Sequence, residues 1–305
     1  MQTIRNSYPN DIIFVDGFAK SGKIILERVL EYFDTVENHS EIDILEALLE
    51  YHSLGMIKIE CLQNLFKLIL DRECYNLNIS RCLNTRFRDD SSIFHNPKLL
   101  MYIRRLFKDR KIAEYNIYKG ESTLNIAMHG AITNSKFLLD TFKNRAKIIS
   151  IIRHPFDIVS GIESYGYYDR ITNSPSNTTT LINHKNIIMP YFAVNWDTDY
   201  EKIDDIERTL RWYYESMKSD LEVYKSLNED YRKNILIVDF DVLTTNPICI
   251  CEKLSKFIRK PYSMRVLNKL RQMNCPREKP IRTIPILHKD LCEKCISVYN
   301  EMKEE

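Results

Sequence analysis

Glycine is scarce in this chain, with seven residues in 305, about a third of the ordinary share of ~7%. Glycine-rich linkers are thereby excluded, and no low-complexity tract is present. Long apolar runs are missing too: none approaches the ~18–20 residues that a membrane span requires. Residues 1–10 are polar and hold no apolar stretch of the kind a secretion signal needs, so a cytoplasmic protein is expected. Nor is there an excess of charge of one sign. The 44 Lys and Arg against 42 Asp and Glu leave a net +2, which argues against a dedicated nucleic-acid binder. The eight cysteines are scattered, and only Cys292-x-x-Cys295 has metal or redox spacing. It lacks a second pair and reads as incidental, with all eight as thiols of a reducing compartment and no metal site expected.

What is present is ordinary for a soluble globular protein, 44% hydrophobic and 28% charged, in a chain long enough for a large core. Residues 12–15 and 147–152 are short apolar runs bounded by turn signals, as buried parallel strands are. Residues 112–118 and 234–238 read as further strands. Helical periodicity marks 23–33, 41–72, 97–108, 135–143, 156–164, 205–227 and 248–259. Residues 169–186 are rich in Asn, Ser and Thr and too long for a simple connection, which suggests a lid or acceptor loop. Strands alternating with helices predict an α/β fold: one domain over 1–305 with a central, mostly parallel sheet flanked by helices.

Two of the seven glycines fall in one turn, Gly17-Phe18-Ala19-Lys20-Ser21-Gly22-Lys23, which follows the first strand and opens a helix. Strand, Gly-bracketed turn and helix N-terminus together form a phosphate cradle, because backbone N–H groups and the helix dipole face the anion. A chain that avoids Gly and places two here needs positive φ or a close backbone approach. As letters the turn is one residue short of G-x-x-x-x-G-K-[ST], the nucleotide-binding P-loop. Ile24 stands where the Mg²⁺-ligating hydroxyl belongs. The alternatives are a P-loop kinase, with Lys23 as its phosphate lysine and Asp239 ending an apolar strand, or a turn with no ligand.

The same turn, read as Lys20-Ser21-Gly22 followed by Leu26, resembles the K-S-G-T-T-x-L phosphosulfate loop of the sulfotransferases that use 3′-phosphoadenosine-5′-phosphosulfate (PAPS). Two further segments resemble that family in the same order. Residues 148–160 (IISIIRHPFDIVS) are similar to its strand followed by R-x-P-x-D-x-x-x-S. Residues 234–247, with Phe257-Ile258-Arg259-Lys260-Pro261 beyond, are similar to its later strand and F-L-G-x-P ending. The resemblance covers roughly residues 11–262. It implies a P-loop-NTPase-like fold and transfer of a sulfuryl group from PAPS to a hydroxyl or amine of a small molecule, a secondary metabolite or sugar, without a metal. On that likeness Gly17, Lys20, Ser21, Gly22, Lys23 and Ile24 hold the donor's phosphosulfate, Lys23 and Ile24 replacing the two threonines. Arg153 holds the 3′-phosphate, which suits its planar fork. The competing reading of Arg153 is an ion pair with Asp157. The family's serine position is Gly161 here, so Ser160 is assigned the second contact, with Ser164 in reserve.

Lys119-x-Glu121, at the end of the expected strand 112–118, matches an acceptor-facing pair of the family. That match puts Lys119 on the sulfuryl group and makes Glu121 the general base, a role a carboxylate of raised pKa can fill. A plain surface pair is the other reading. His129 is the alternative base, and His39, Glu41 and His52, after the first helix, are further ones. Residues 36–110 and 165–205 are expected to form the acceptor side. No nucleic-acid or membrane partner is expected.

Overall fold

The computed structural model of the chain describes residues 6–89, 91–174, 178–196, 200–280, 282 and 288–305. In chain order the elements are β1 (Asp11–Gly17), α1 (Lys23–Leu30), β2 (Val36–Glu41), α2 (Asp43–Ser53), α3 (Ile59–Asn78), α4 (Leu99–Arg105), α5 (Arg110–Lys119) and β3 (Thr123–Ala127). There follow α6 (Ser135–Phe142), β4 (Ala146–Ile152), α7 (Pro155–Tyr165), α8 (Tyr167–Asn173), β5 (Leu181–His184), β6 (Ile187–Pro190) and α9 (Asp205–Ser226). The last are α10 (Glu229–Arg232), β7 (Ile235–Asp239), α11 (Phe240–Thr245), α12 (Pro247–Ile258), α13 (Val266–Gln272) and α14 (Lys289–Glu304).

A five-stranded sheet in the order β2-β3-β1-β4-β7 is parallel throughout. Its central strands are mostly apolar because both faces are covered, with Asp16, Asn125 and Ser150 as buried polar exceptions. Successive side chains alternate between those faces: Ile12, Phe14, Ile148 and Ile152 join one buried cluster, Ile13, Val15, Ile149 and Ile151 the other. The α/β architecture expected from the alternating pattern is the one observed. No helix among the described residues is long and apolar enough to cross a membrane.

The strand order places the site. From β1 the chain passes through α1 toward the β2 side, and after β4 it passes toward β7. The carboxyl ends of β1 and β4, adjacent in register with Gly17 opposite Ile151, therefore form the switch point at which open α/β sheets bind ligands.

Three expectations are corrected. Residues 112–118 are not a strand. They belong to α5, whose N-terminus is capped by Asp109, accepting from the Lys111 N–H at 2.7 Å, and which ends at Gly120 with φ 68°. Short apolar runs suit either period, and here the buried Ala113 and Ile117 lie four apart on one helical face. The strand is β3, five residues later and buried throughout. Second, residues 36–41 form edge strand β2, although VENHSE reads as polar. Its buried Glu37 is held by Arg105 at 2.7 and 2.9 Å and by the Tyr102 hydroxyl, so burial is compensated by partners remote in sequence. Third, the 169–186 segment contains most of α8 and the start of a β5–β6 hairpin turned by Lys185 and Asn186 at φ 51° and 66°, the twist that two-residue hairpin turns favour. Thr178 and Thr179 beside it line the cavity described below.

Candidate functional site

β1 leaves the sheet at Gly17, and the turn is closed by the Ser21 N–H donating to the Phe18 carbonyl at 3.0 Å. Both glycines are used as expected. Gly17 lies at φ 151° with Ile151 O 2.6 Å from where a Cβ would stand, and Gly22 lies at φ 96° with the Phe240 ring 2.3 Å from that position. Lys20 adopts φ 63° without being glycine, a conformation that costs of order 1–3 kcal/mol and concentrates at functional sites. Arg153 at the end of β4 offsets that cost, its guanidinium donating to the Lys20 carbonyl at 2.8 Å. α1 starts at Lys23 with no side chain capping it; the Ile25 N–H donates to the Gly22 carbonyl at 3.0 Å, which leaves the N–H groups of Lys23 and Ile24 to face an anion.

Arg153 lies 3.6 Å from Asp157, but Asp157 is engaged more closely by Arg282, at 2.6 Å, which also joins Asp241 at 2.7 Å. The ion-pair reading of Arg153 is thus only part of its role: it latches the turn and lies over the Phe240 ring, 4.3 Å from its centre. α7 begins beside it with Pro155 in its first turn and the His154 Nδ1 accepting from the Phe156 N–H. Burial, then Arg282, pull the His154 pKa down, consistent with that neutral acceptor.

A cavity of about 770 Å³ opens over the turn, lined among others by Lys20, Ser21, Gly22, Lys23, Ile24, Arg153, Ser164 and His129. That volume is in the range that holds small ligands and cofactors. The Lys20 side chain crosses Gly161, where a Cβ would stand 3.0 Å from its own Cβ, and its ammonium lies 3.5 Å from the centre of the Tyr165 ring. The departure at Gly161 thereby makes room for Lys20. Arg170 lies over the same ring at 4.4 Å. Burial, and secondarily Arg170, lower the Lys20 pKa. Two cations on one ring with no carboxylate partner between them make a basic wall suited to an anion.

Lys23 turns the other way. Its ammonium donates to the Met128 carbonyl at 3.0 Å, and burial lowers its pKa against the opposing pull of Glu46, Glu27, Asp16 and Glu41. His129 pairs with Glu46 at 2.9 Å. Burial raises the Glu46 pKa, but His129 and Lys23 outweigh it and leave the carboxyl below its ordinary range.

At the carboxyl end of β2, buried His39 shares a 2.7 Å contact through Nδ1 with Glu31, while its Nε2, without a hydrogen bond, lies 3.8 Å from Glu27. Burial pushes the Glu27 pKa up. Glu27, His39 and Glu41 bring ligand atoms within 4.8 Å of one another, a set that can share protons and that has the donor types of a cation site. Glu27 and Glu41 line the cavity.

Several expected site residues lie elsewhere. Lys119 and Glu121 form a 3.9 Å pair, 50% and 55% exposed, at the amino end of β3. Because residues 112–118 are helical, the pair sits at the edge of the sheet opposite the turn, as the surface-pair reading has it. Ser160 is exposed and does not line the cavity, whereas Ser164, one helical turn on, does. His52 ends α2 and is tied to the Ile57 carbonyl at 2.7 Å. Asp239, the acidic strand end of the kinase alternative, is bound by Lys303 at 2.6 Å and by the Tyr299 hydroxyl.

No protein-family model matches the chain, and no curated protein matches it. Solved structures do. The chain is similar to the sulfotransferase domain of the Synechococcus PCC 7002 olefin synthase, at 13% identity and TM-score 0.48 over 100% of this chain and 98% of that one. It is similar to the sulfotransferase domain from the curacin biosynthetic pathway, at 14% identity and TM-score 0.46, covering 94% and 83%. A mouse sulfotransferase complexed with PAP follows at 14% identity and TM-score 0.39, covering 93% and 75%.

Some site residues went unremarked in the sequence. Arg170 is one, separated from Lys20 by 150 positions and joined to it only through Tyr165. Arg277 is another, lying 5.2 Å over the Phe240 ring that Arg153 also covers. Glu46, the partner of His129, stands on α2 inside a long helical pattern. Arg259 occupies the glycine position of the F-L-G-x-P pattern and ends α12 at φ 56°, so the helix stop is kept without the glycine.

Proposed function

We propose that this protein is a PAPS-dependent sulfotransferase acting on a hydroxyl or amine of a small-molecule acceptor. The observation that carries the reading is the meeting, at the switch point of the sheet, of the Lys20 turn and Arg153, with the ammonium of Lys20 and the guanidinium of Arg170 exposed to the same cavity. The phosphosulfate of the donor lies over the turn, with its 3′-phosphate toward Arg153 and Arg277 beside Phe240; Ser164 rather than Ser160 has the position for a further contact. The acceptor atom attacks sulfur in line. Its bond to sulfur forms as the bridging S–O bond breaks, and the electron pair stays on the phosphate oxygen. Lys20 and the turn N–H groups stabilise that developing charge, the form of catalysis that is commonly the largest single term. The acceptor's proton passes to His129, held by Glu46, or to Glu41; Glu121 is too remote for the task. We assign the acceptor side of a single domain over 1–305 to the 36–110 and 165–205 segments, on the ground that Glu46, Tyr165, Tyr167 and Phe192 line the cavity.

A kinase is disfavoured because Ile24 has no hydroxyl for Mg²⁺, Lys23 is turned to the Met128 carbonyl and Asp239 is already paired. A thermal-shift panel tests the reading. Adenosine 3′,5′-bisphosphate should raise Tm, and ATP–Mg and GTP–Mg should not. A shift with either nucleotide–Mg complex and none with the bisphosphate overturns it. Strong bisphosphate binding with no transfer to any acceptor instead marks a catalytically degenerate nucleotide-binding protein.

A further inference from the structure

A second cavity, of about 340 Å³, adjoins the first and shares Phe18, Glu46, Glu50, His129, Tyr191, Phe192 and Trp212 with it. It differs in its cations: the first cavity holds Lys20, Lys23, Arg153 and Arg170 beside Glu27, Glu41, Asp43, Glu46 and Glu50. Five carboxylates line the second, Asp16, Glu46, Glu50, Glu215 and Asp220, and among the described lining residues there is no Lys or Arg. Three have partners: Glu46 has His129, Glu215 the Trp196 indole N–H at 2.8–2.9 Å, and Glu50 has Thr180 and Tyr191, although its Oε2 is buried without a hydrogen bond. Asp16 and Asp220 are not fully used. Asp16, the penultimate residue of β1, is 1% exposed, and while its Oδ2 accepts from the Ile132 N–H, its Oδ1 is buried without a partner. Asp220 on α9 receives the N–H and hydroxyl of Thr133 on one oxygen alone. Burial and the charge of Asp16 push the Asp220 pKa up to about 8, and the two carboxyls line one cavity that has no Lys or Arg among its described lining residues.

The wall shared by the two cavities is aromatic. Trp212 stacks on Phe192 with centroids 4.2 Å apart and planes 2° from parallel, and Phe18 lies 4.3 Å from it. Aromatic faces attract organic cations, and more strongly when the cation is desolvated. A buried carboxylate oxygen with no donor is costly to leave unpaired.

We infer that the acceptor is an organic cation, an alcohol or amine carrying a second, protonated amine or guanidinium group, whose charge seats between Asp16 and Asp220 against Trp212 while its reacting atom reaches past the shared wall toward Lys20. The inference rests on the sulfuryl-transfer reading for the reaction, but the cation seat is testable without the donor. Calorimetry with tyramine and with 4-propylphenol, which replaces the ammonium by a methyl group, compares a cation with its neutral counterpart. The wild-type protein should bind tyramine at least about tenfold more tightly, the scale of one hydrogen-bonded charge contact. Asp220→Asn and, separately, Asp16→Asn should bring the preference close to one, and an unchanged thermal shift with adenosine 3′,5′-bisphosphate would show that both variants are folded. Equal binding of the two probes by the wild-type protein overturns the inference, and so does a preference that survives in Asp220→Asn. If the probes discriminate but the bisphosphate does not bind, the cation seat stands and the sulfuryl-transfer reading falls.

Discussion

The two cavities over the carboxyl edge of the sheet share one wall and differ in everything else. The larger has a basic wall of Lys20, Arg153 and Arg170 opposite carboxylates that include Glu27 and Glu41, whereas the smaller has carboxylates, Asp16 and Asp220 among them, and no Lys or Arg among its described lining residues. Both draw on β1, whose Asp16 opens the acidic cavity one residue before Gly17 starts the basic turn. Lys23 and the His129–Glu46 pair stand at the boundary. A bisubstrate site in which an anion meets a cation has this division, because each half repels the other's ligand and fixes the direction from which it enters.

The largest effect should come from breaking the basic half. Lys20→Ala should lower kcat by about 10²–10³, the usual loss on removing one charge-stabilising contact, with little change in Tm because, among the described residues, the side chain rests on Tyr165 and Gly161. Retained wild-type kcat in steady-state assays would remove Lys20 from the mechanism. Gly161→Ala comes next. Its Cβ would press on Lys20 at 3.0 Å, so kcat should fall by roughly tenfold through displacement of the ammonium, with Tm nearly unchanged. An undiminished rate would show that Lys20 does not need its present path.

The acidic half gives a smaller, pH-dependent effect. Asp220 ionises near 3.8 when unfolded and is pushed up to about 8 in the fold. Between those values the unfolded chain has released a proton that the native state retains, so stability falls as pH rises through the window and levels off above it. Asp220→Asn should flatten that slope, its advantage over the wild type growing from pH 4 to pH 8 in thermal melts. Parallel Tm–pH curves would contradict the Asp16–Asp220 pairing. The smallest effect is expected far from both halves. Glu121→Gln should leave kcat within about twofold, as for surface substitutions in general, and a loss of a hundredfold would return the base to the opposite edge of the sheet.

The sequence made some of this legible and concealed the rest for identifiable reasons. The apolar runs at 12–15 and 147–152 were readable because a doubly covered parallel strand is mostly apolar, even with Lys147 and Ser150 in the second. Gly17 and Gly22 stood out because glycine is otherwise rare. Residues 36–41 were missed as a strand because the burial of Glu37 depends on Arg105 and Tyr102, 68 and 65 positions away, which no local window contains. Residues 112–118 were misread because two buried residues four apart leave little periodicity to judge. That single error moved Lys119 and Glu121 to the wrong end of a strand.

Local patterning by itself determined the alternation of strands and helices and the phosphate-cradling turn, since apolar period, Gly placement and helix starts are properties of neighbouring residues. Only the tertiary structure decided which charges meet. Arg170 joins Lys20 through Tyr165, Arg277 joins Arg153 on Phe240, and Asp220 shares a cavity with Asp16, because strand order and helix packing set those distances and electrostatic interaction depends on separation in space.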